Sequence, residues 1–151
     1  DFVIQAGIAC RDTLRTEMKY ALYGNDIDDS TNPIEAGLSW ITKIEKSKFI
    51  GIDSLVNANI NLKRKLVCIK MNDRGIPRKG YLLMFGDETV GEITSGTQSP
   101  SLGVGIGLAY IATSHSKPGT ELKIKKKKNF LKCVIIKSPF YKDGSLNKWV
   151  K

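Results

Sequence analysis

Two kinds of hydrophobic patterning divide the chain. In the first stretch Leu14, Met18, Ala21 and Leu22 recur at helical spacing, with Arg15 and Lys19 on another face. Asp12 is the expected N-cap and Gly24-Asn25 the expected stop. The polar run Asp26 to Pro33 reads as a turn-rich connection, and Pro33 to Ile41 as a short helix start leading into a strand. A second helix is predicted from Gly51 to about Ile60, where Ile52, Leu55 and Val56 can share a face.

From Leu62 onward the pattern is that of strands. Leu66 to Met71 is apolar with β-branched residues and runs into the turn Asn72-Asp73-Arg74-Gly75. Tyr81 to Phe85 and Thr89 to Thr94 flank Gly86-Asp87, a hairpin signal. Val104, Ile106, Leu108 and Tyr110 alternate with Gly105, Gly107 and Ala109, at the period of a strand. Lys117-Pro118-Gly119 turns the chain into Glu121 to Lys125, and Lys127-Lys128-Asn129 turns it into Phe130 to Lys137. Six such strands predict a compact antiparallel β-barrel or sandwich of about 80 residues. The fold class is therefore α+β: a helix-containing tail over residues 1–50, a linker or short helix over 51–61, and a β domain over 62–151.

Composition narrows the class. A 151-residue chain that is 41% hydrophobic can bury a real core. Cys10, Cys68 and Cys133 are odd in number, far apart, and set among apolar or small residues. They read as buried reduced thiols in a reducing compartment, not as a disulfide scaffold. No apolar run approaches the roughly 18 residues that a membrane span requires, and no signal-peptide pattern is visible, so a soluble protein is expected. The chain opens at Asp1-Phe2-Val3, and residues 1–9 read as the end of an ordered segment inside a longer protein. The net charge of +9 asks for an anionic partner: nucleic acid, a phosphorylated or carboxylated ligand, or an acidic protein.

Candidate chemistry is sparse. Arg11 and Arg15 lie four apart with Tyr20 and Tyr23 beyond them. Guanidinium groups grip carboxylates bidentately and tyrosines offer flat faces to an aromatic ligand, so this is an anion-site pattern; a solvated helix face is the plainer alternative. Residues nine apart on a regular helix differ by roughly 180°, so Arg11 and Tyr20 converge only if Arg11 sits before or at the helix start. Counting a calcium loop from Asp26 puts Thr31 where glycine belongs and Gly37 where the bidentate glutamate belongs, which rejects calcium and favours a turn. Gly103, Gly105 and Gly107 lack the strand-then-helix setting of a phosphate loop; close packing at a barrel bend explains them better. His115, the single histidine, has no companion for a zinc site or a nucleophilic triad. Lys123 and Lys125 to Lys128 read as a solvated strand edge guarded by lysines, or as a docking patch for an acidic partner. Without interleaved aromatics they are a poor nucleic-acid surface.

Longer words in the sequence say more. Gly7-Ile8-Ala9-Cys10-Arg11-Asp12-Thr13-Leu14-Arg15-Thr16-Glu17 resembles a segment of the glycine cleavage T-proteins, the aminomethyltransferases. Leu22-Tyr23-Gly24-Asn25-Asp26-Ile27, Pro33-Ile34-Glu35-Ala36-Gly37-Leu38-Ser39-Trp40, Thr94 to Leu102 and Ser138-Pro139-Phe140 follow as further blocks in family order. Cys10 and Thr16 depart from the usual alanine and leucine. The resemblance implies that residues 1–50 are the end of a folate-binding domain and 62–151 its C-terminal antiparallel β-barrel domain. It implies transfer of a one-carbon unit from aminomethyl-lipoyl H-protein to tetrahydrofolate with release of ammonia, the one-carbon step of glycine catabolism. Arg11 and Tyr20 would be the tetrahydrofolate-binding residues. The family's acid/base aspartate and pterin-binding glutamate belong to an N-terminal half absent from these 151 residues, so no catalytic residue is assigned and little turnover is expected of this chain alone. Tetrahydrofolate as co-substrate, lipoylated H-protein, a homodimer through an uncovered helix face, and a bacterial cytoplasm (or a mitochondrial matrix) complete the expectation; metal, nucleic acid and membrane are not expected. The rival readings are another folate-dependent member of the superfamily, such as a demethylase or the folate domain of a dimethylglycine- or sarcosine-oxidising enzyme, and a basic RNA-binding barrel.

Overall fold

A computed structural model describes residues 3–46, 48–126 and 129–142. Its elements run α1 (Ile8–Glu17), α2 (Ser39–Thr42), α3 (Ile52–Ile60), β1 (Arg64–Met71), β2 (Leu82–Phe85), β3 (Glu88–Gln98), β4 (Gly105–Ala112), a 3₁₀ turn (Thr113–His115), β5 (Glu121–Lys126) and β6 (Asn129–Ile136). The six strands close into an antiparallel barrel in the order β1-β4-β3-β2-β5-β6. Pairing of β1 with β6, in the register Cys68↔Ile136 to Met71↔Cys133, closes it. The α+β class and the barrel expected from the strand spacing are both present.

Alternation along the strands builds two apolar layers. Ile69, Leu83, Ile93, Ile111, Ile124 and Ile135 fill the barrel interior. Leu66, Cys68, Ile106, Leu108 and Tyr110 face the other way from β1 and β4 and pack with Phe140. These two strands are therefore buried on both faces, because the tail lies against them. Of the glycine series, Gly105 and Gly107 have the packing role expected of them, whereas Gly103 precedes β4 in a turn at φ +68° where a Cβ would meet nothing within 4 Å. Segment Gly75-Ile76-Pro77 crosses one end of the barrel: a Cβ on Gly105 would lie 2.1 Å from the Gly75 carbonyl oxygen, and one on Gly96 would lie 2.2 Å from that of Pro77.

The tail departs from its expected pattern. Gly7, not Asp12, is the N-cap of α1, and the helix ends at Glu17, well before Gly24. Its inward residues are polar: Thr16 and Glu17 are buried, while Ile8 and Leu14 are exposed. Thr13 and Thr97 share a hydrogen bond of 3.2 Å. Glu17 accepts hydrogen bonds from the Ser99 hydroxyl and from the Ser101 amide (3.2 Å) and hydroxyl (2.9 Å). The Glu17 carbonyl in turn accepts the Phe140 and Tyr141 amides at 3.1 and 3.2 Å, tying the chain beyond β6 to the end of α1. The strand expected after Pro33 is absent; turns lead into the single helical turn of α2. Helix α3 lies where expected, but none of its residues is buried. Barrel closure also means that β5 pairs on both sides, so its exposed Lys123 and Lys125 do not guard an edge. Lys127 and Lys128 lie outside the described residues. Cys10, expected to be buried, is exposed, whereas Cys68 and Cys133 are buried free thiols.

Candidate functional site

Buried charge first fixes what is not available to a ligand. Asp26 is 1% exposed and accepts hydrogen bonds from the Arg15 guanidinium, the Thr94 hydroxyl and, at 3.0 Å, the Leu22 amide. Arg15 spends its other donors on Asp12 (2.8 and 2.6 Å) and Ser95 (2.9 Å). Of the two arginines in the anion-site pattern, Arg15 is thus consumed in joining tail to barrel. Arg64 grips Glu35 at 2.9 and 3.2 Å while stacking 4.6 Å from the centre of the Tyr110 ring. Burial pulls the Glu35 carboxyl upward, but the Arg64 hydrogen bond, the Asn32 amide and the Arg64 charge outweigh it and hold it below its ordinary value. Burial, seconded by the Glu35 charge, pushes the Tyr110 phenol up to about 12. Its hydroxyl donates to the Asp26 carbonyl at 2.9 Å.

The acidic run is a set of local turns, as its spacing suggested. Asp28 accepts from the Ser30 amide and hydroxyl at 2.9 and 2.7 Å, and Asp29 accepts from the Tyr23 hydroxyl at 2.6 Å. His115 stands 4.7 Å from Phe85, ring centre to ring centre, with its Nδ1 2.9 Å from the Ser114 hydroxyl. The acidic turns offer no reacting pair, and among the described residues no carboxylate orients the His115 ring to make its exposed contact with Ser114 a triad.

The site that remains is a cleft of about 430 Å³ between the end of α1, the Pro33–Leu38 turns, α2 and the segment after β6. Tyr20, Trp40, Met18 and Pro139 give it a largely apolar lining with two flat ring systems. Tyr20 is 52% exposed and Trp40 75%, so both faces are open to a visitor. Tyr20 reaches the cleft because α1 stops short of it; the opposition expected of residues nine apart on one helix does not arise. Arg11 is the fourth residue of α1 and exposed; it is not among the residues lining the cleft, and its side chain has no hydrogen bond or ion pair among the described residues. Sequence reasoning missed Trp40 as a site residue, though it closes a block quoted above. A larger hollow of about 660 Å³ at the plugged barrel end, lined by Asn72, Arg74, Gln98 and Gly103, presents no aromatic face.

Comparison with known proteins identifies the family. The family model described as GCVT N-terminal domain matches residues 2–46, and that described as glycine cleavage T-protein C-terminal barrel domain matches residues 64–142. The chain is 48% identical over 139 residues to an aminomethyltransferase of Phocaeicola vulgatus, covering 90% of this chain and 38% of that protein. It is 49% identical over 141 residues to one of Porphyromonas gingivalis, covering 91% and 39%. The crystal structure of glycine cleavage system aminomethyltransferase T from Bartonella henselae superposes with a TM-score of 0.84 at 29% identity, covering 89% of this chain and 39% of that one. The chain thus spans less than two fifths of the length of these relatives. Its motif blocks, its six-stranded barrel and these matches place it in the glycine cleavage T-protein family of aminomethyltransferases.

Proposed function

We propose that this chain is part of an enzyme that moves the one-carbon unit from the aminomethyl group on the lipoyl arm of H-protein to tetrahydrofolate, releasing ammonia. The observation that carries the reading is the cleft. Tetrahydrofolate is a flat pterin and aminobenzoyl unit ending in glutamate carboxylates, and the Tyr20 and Trp40 rings fit its flat part. Arg11 supplies charge to the same ligand; unlike Arg15, it spends no guanidinium donor on a partner among the described residues. Ile8 and Leu14, one helical turn before and after it, are exposed as well, so Arg11 stands on the outward face of α1.

Among the described residues no Asp or Glu lines the cleft, so no carboxylate there can serve as the acid or base that ammonia release demands. The reacting carboxylate is assigned to the remainder of the enzyme, and the bacterial sources of the relatives above support a bacterial cytoplasm as its place. The test is tetrahydrofolate-dependent ammonia release from aminomethylated H-protein. The full-length enzyme is expected to turn over and this chain alone is not, and Arg11→Ala in the full-length enzyme raises the tetrahydrofolate Kd. Full activity of the chain alone, or an unchanged Kd, overturns the assignment.

A further inference from the structure

One half-buried cation of the tail has no hydrogen-bond or ion-pair partner among the described residues. Helix α1 ends in a double turn in which the Lys19 amide donates to the Thr16 carbonyl at 2.9 Å and the Tyr20 amide to that of Arg15 at 2.8 Å. The residue at the pivot must be left-handed, a place that glycine fills at least cost, yet this chain has Lys19 there at φ +59°. Its side chain crosses Gly37, whose missing Cβ leaves the room: the Lys19 Nζ lies 2.7 Å from where that carbon would be. Lys19 is half-buried, and its ammonium makes no hydrogen bond or ion pair among the described residues.

Its surroundings are those of an anion site. Lys19 lines the aromatic cleft and also a neighbouring hollow of about 310 Å³, where Lys137, Ser138 and Ser116 join it. Neither lining contains a carboxylate among the described residues. An ammonium partly withdrawn from water and offered no counter-ion is completed by one that arrives. We propose that Lys19 is a carboxylate-binding residue, taking the anionic end of a ligand whose flat ring lies against Tyr20 and Trp40. This rests on the folate reading to the extent that the carboxylates are those of a glutamyl tail, which the hollow beside Lys137 then receives.

The test uses the full-length protein and three variants: Lys19→Gly, which suits the left-handed pivot; Lys19→Met, which keeps the stem without charge; and Lys19→Arg, which keeps the charge. Calorimetry measures tetrahydrofolate, its triglutamate and 6-methyltetrahydropterin, which has no glutamate. Lys19→Gly is expected to keep or raise the melting temperature and to weaken tetrahydrofolate about tenfold, a loss of roughly 1.4 kcal/mol. The triglutamate weakens at least as much, 6-methyltetrahydropterin is unchanged, Lys19→Met behaves like Lys19→Gly, and Lys19→Arg restores affinity. Unchanged tetrahydrofolate affinity in Lys19→Gly, or an equal loss for 6-methyltetrahydropterin, overturns the Lys19 assignment while leaving the folate reading standing. Failure of the parent protein to bind tetrahydrofolate overturns both.

Discussion

Asp26→Ala is predicted to be among the costliest single changes at the junction of tail and barrel. The carboxylate is 1% exposed and holds Arg15, Thr94 and the Leu22 amide at once. Its removal leaves a guanidinium whose side chain is 9% exposed with fewer partners in a place where water cannot replace them. Breaking a buried ion pair by deleting one partner costs about 3–5 kcal/mol. Arg15 retains Asp12 and Ser95, which argues for the lower end, about 3 kcal/mol. For a chain of this size that lowers the thermal midpoint by roughly 6–12 °C. Asp12 provides the internal comparison: it also pairs with Arg15, at 2.6 Å, but its side chain is 40% exposed. Asp12→Ala should therefore cost no more than about 1 kcal/mol. Urea denaturation followed by circular dichroism, with the slopes checked for equality, measures both. Equal losses for the two variants would refute the reasoning, in which burial and the added bonds to Thr94 and the Leu22 amide set Asp26 apart from Asp12.

Two further outcomes follow from packing. Gly105→Ala puts a methyl group against the Gly75 carbonyl, a backbone atom that cannot swing aside, and should destabilise by about 3 kcal/mol or more, whereas Gly7→Ala, which meets no atom within 4 Å, should cost about 1 kcal/mol at most; paired thermal melts decide it. Burial pushes the Cys68 and Cys133 thiols up to about 12, so near neutral pH iodoacetamide should label exposed Cys10 alone, the other two reacting only on unfolding or as the pH rises towards that value; mass spectrometry showing early modification of Cys68 would count against the fold.

The strands were legible because their signals are local. Alternation at period two and turn residues such as Gly86-Asp87 need no knowledge of the rest of the chain. Closure was not legible, since the β1–β6 pairing joins residues far apart in sequence, and the lysines of β5 were consequently placed on an edge that does not exist. Helix α1 was misjudged at both ends for a different reason. Amphipathic reasoning assumes that the apolar stripe faces the core, but α1 turns Arg15, Thr16 and Glu17 inward and leaves Leu14 outside. Tyr20, which lines the cleft, was singled out by the arginine–tyrosine pattern and by the family resemblance. Trp40 and Lys19 were missed because a cleft assembled from four segments leaves no pattern in any one of them.

The blocks that make the family recognisable turn out to touch one another. Arg15 and Glu17 come from the first, Asp26 from the second, Glu35 from the third, Ser95, Ser99 and Ser101 from the fourth and Phe140 from the last, and each contributes to the contacts between tail and barrel. Physics accounts for this. A barrel interior accepts any set of apolar side chains of suitable volume, so it spells no particular word. A buried hydrogen bond requires one donor and one acceptor in fixed places, and an orphaned group forfeits its full hydration. Polar seams therefore write sequence more exactingly than cores do. An exposed side chain proposed as a ligand contact, such as that of Arg11 or Tyr20, has no partner within its own fold to fix its identity, so packing and hydrogen bonding do not spell it out.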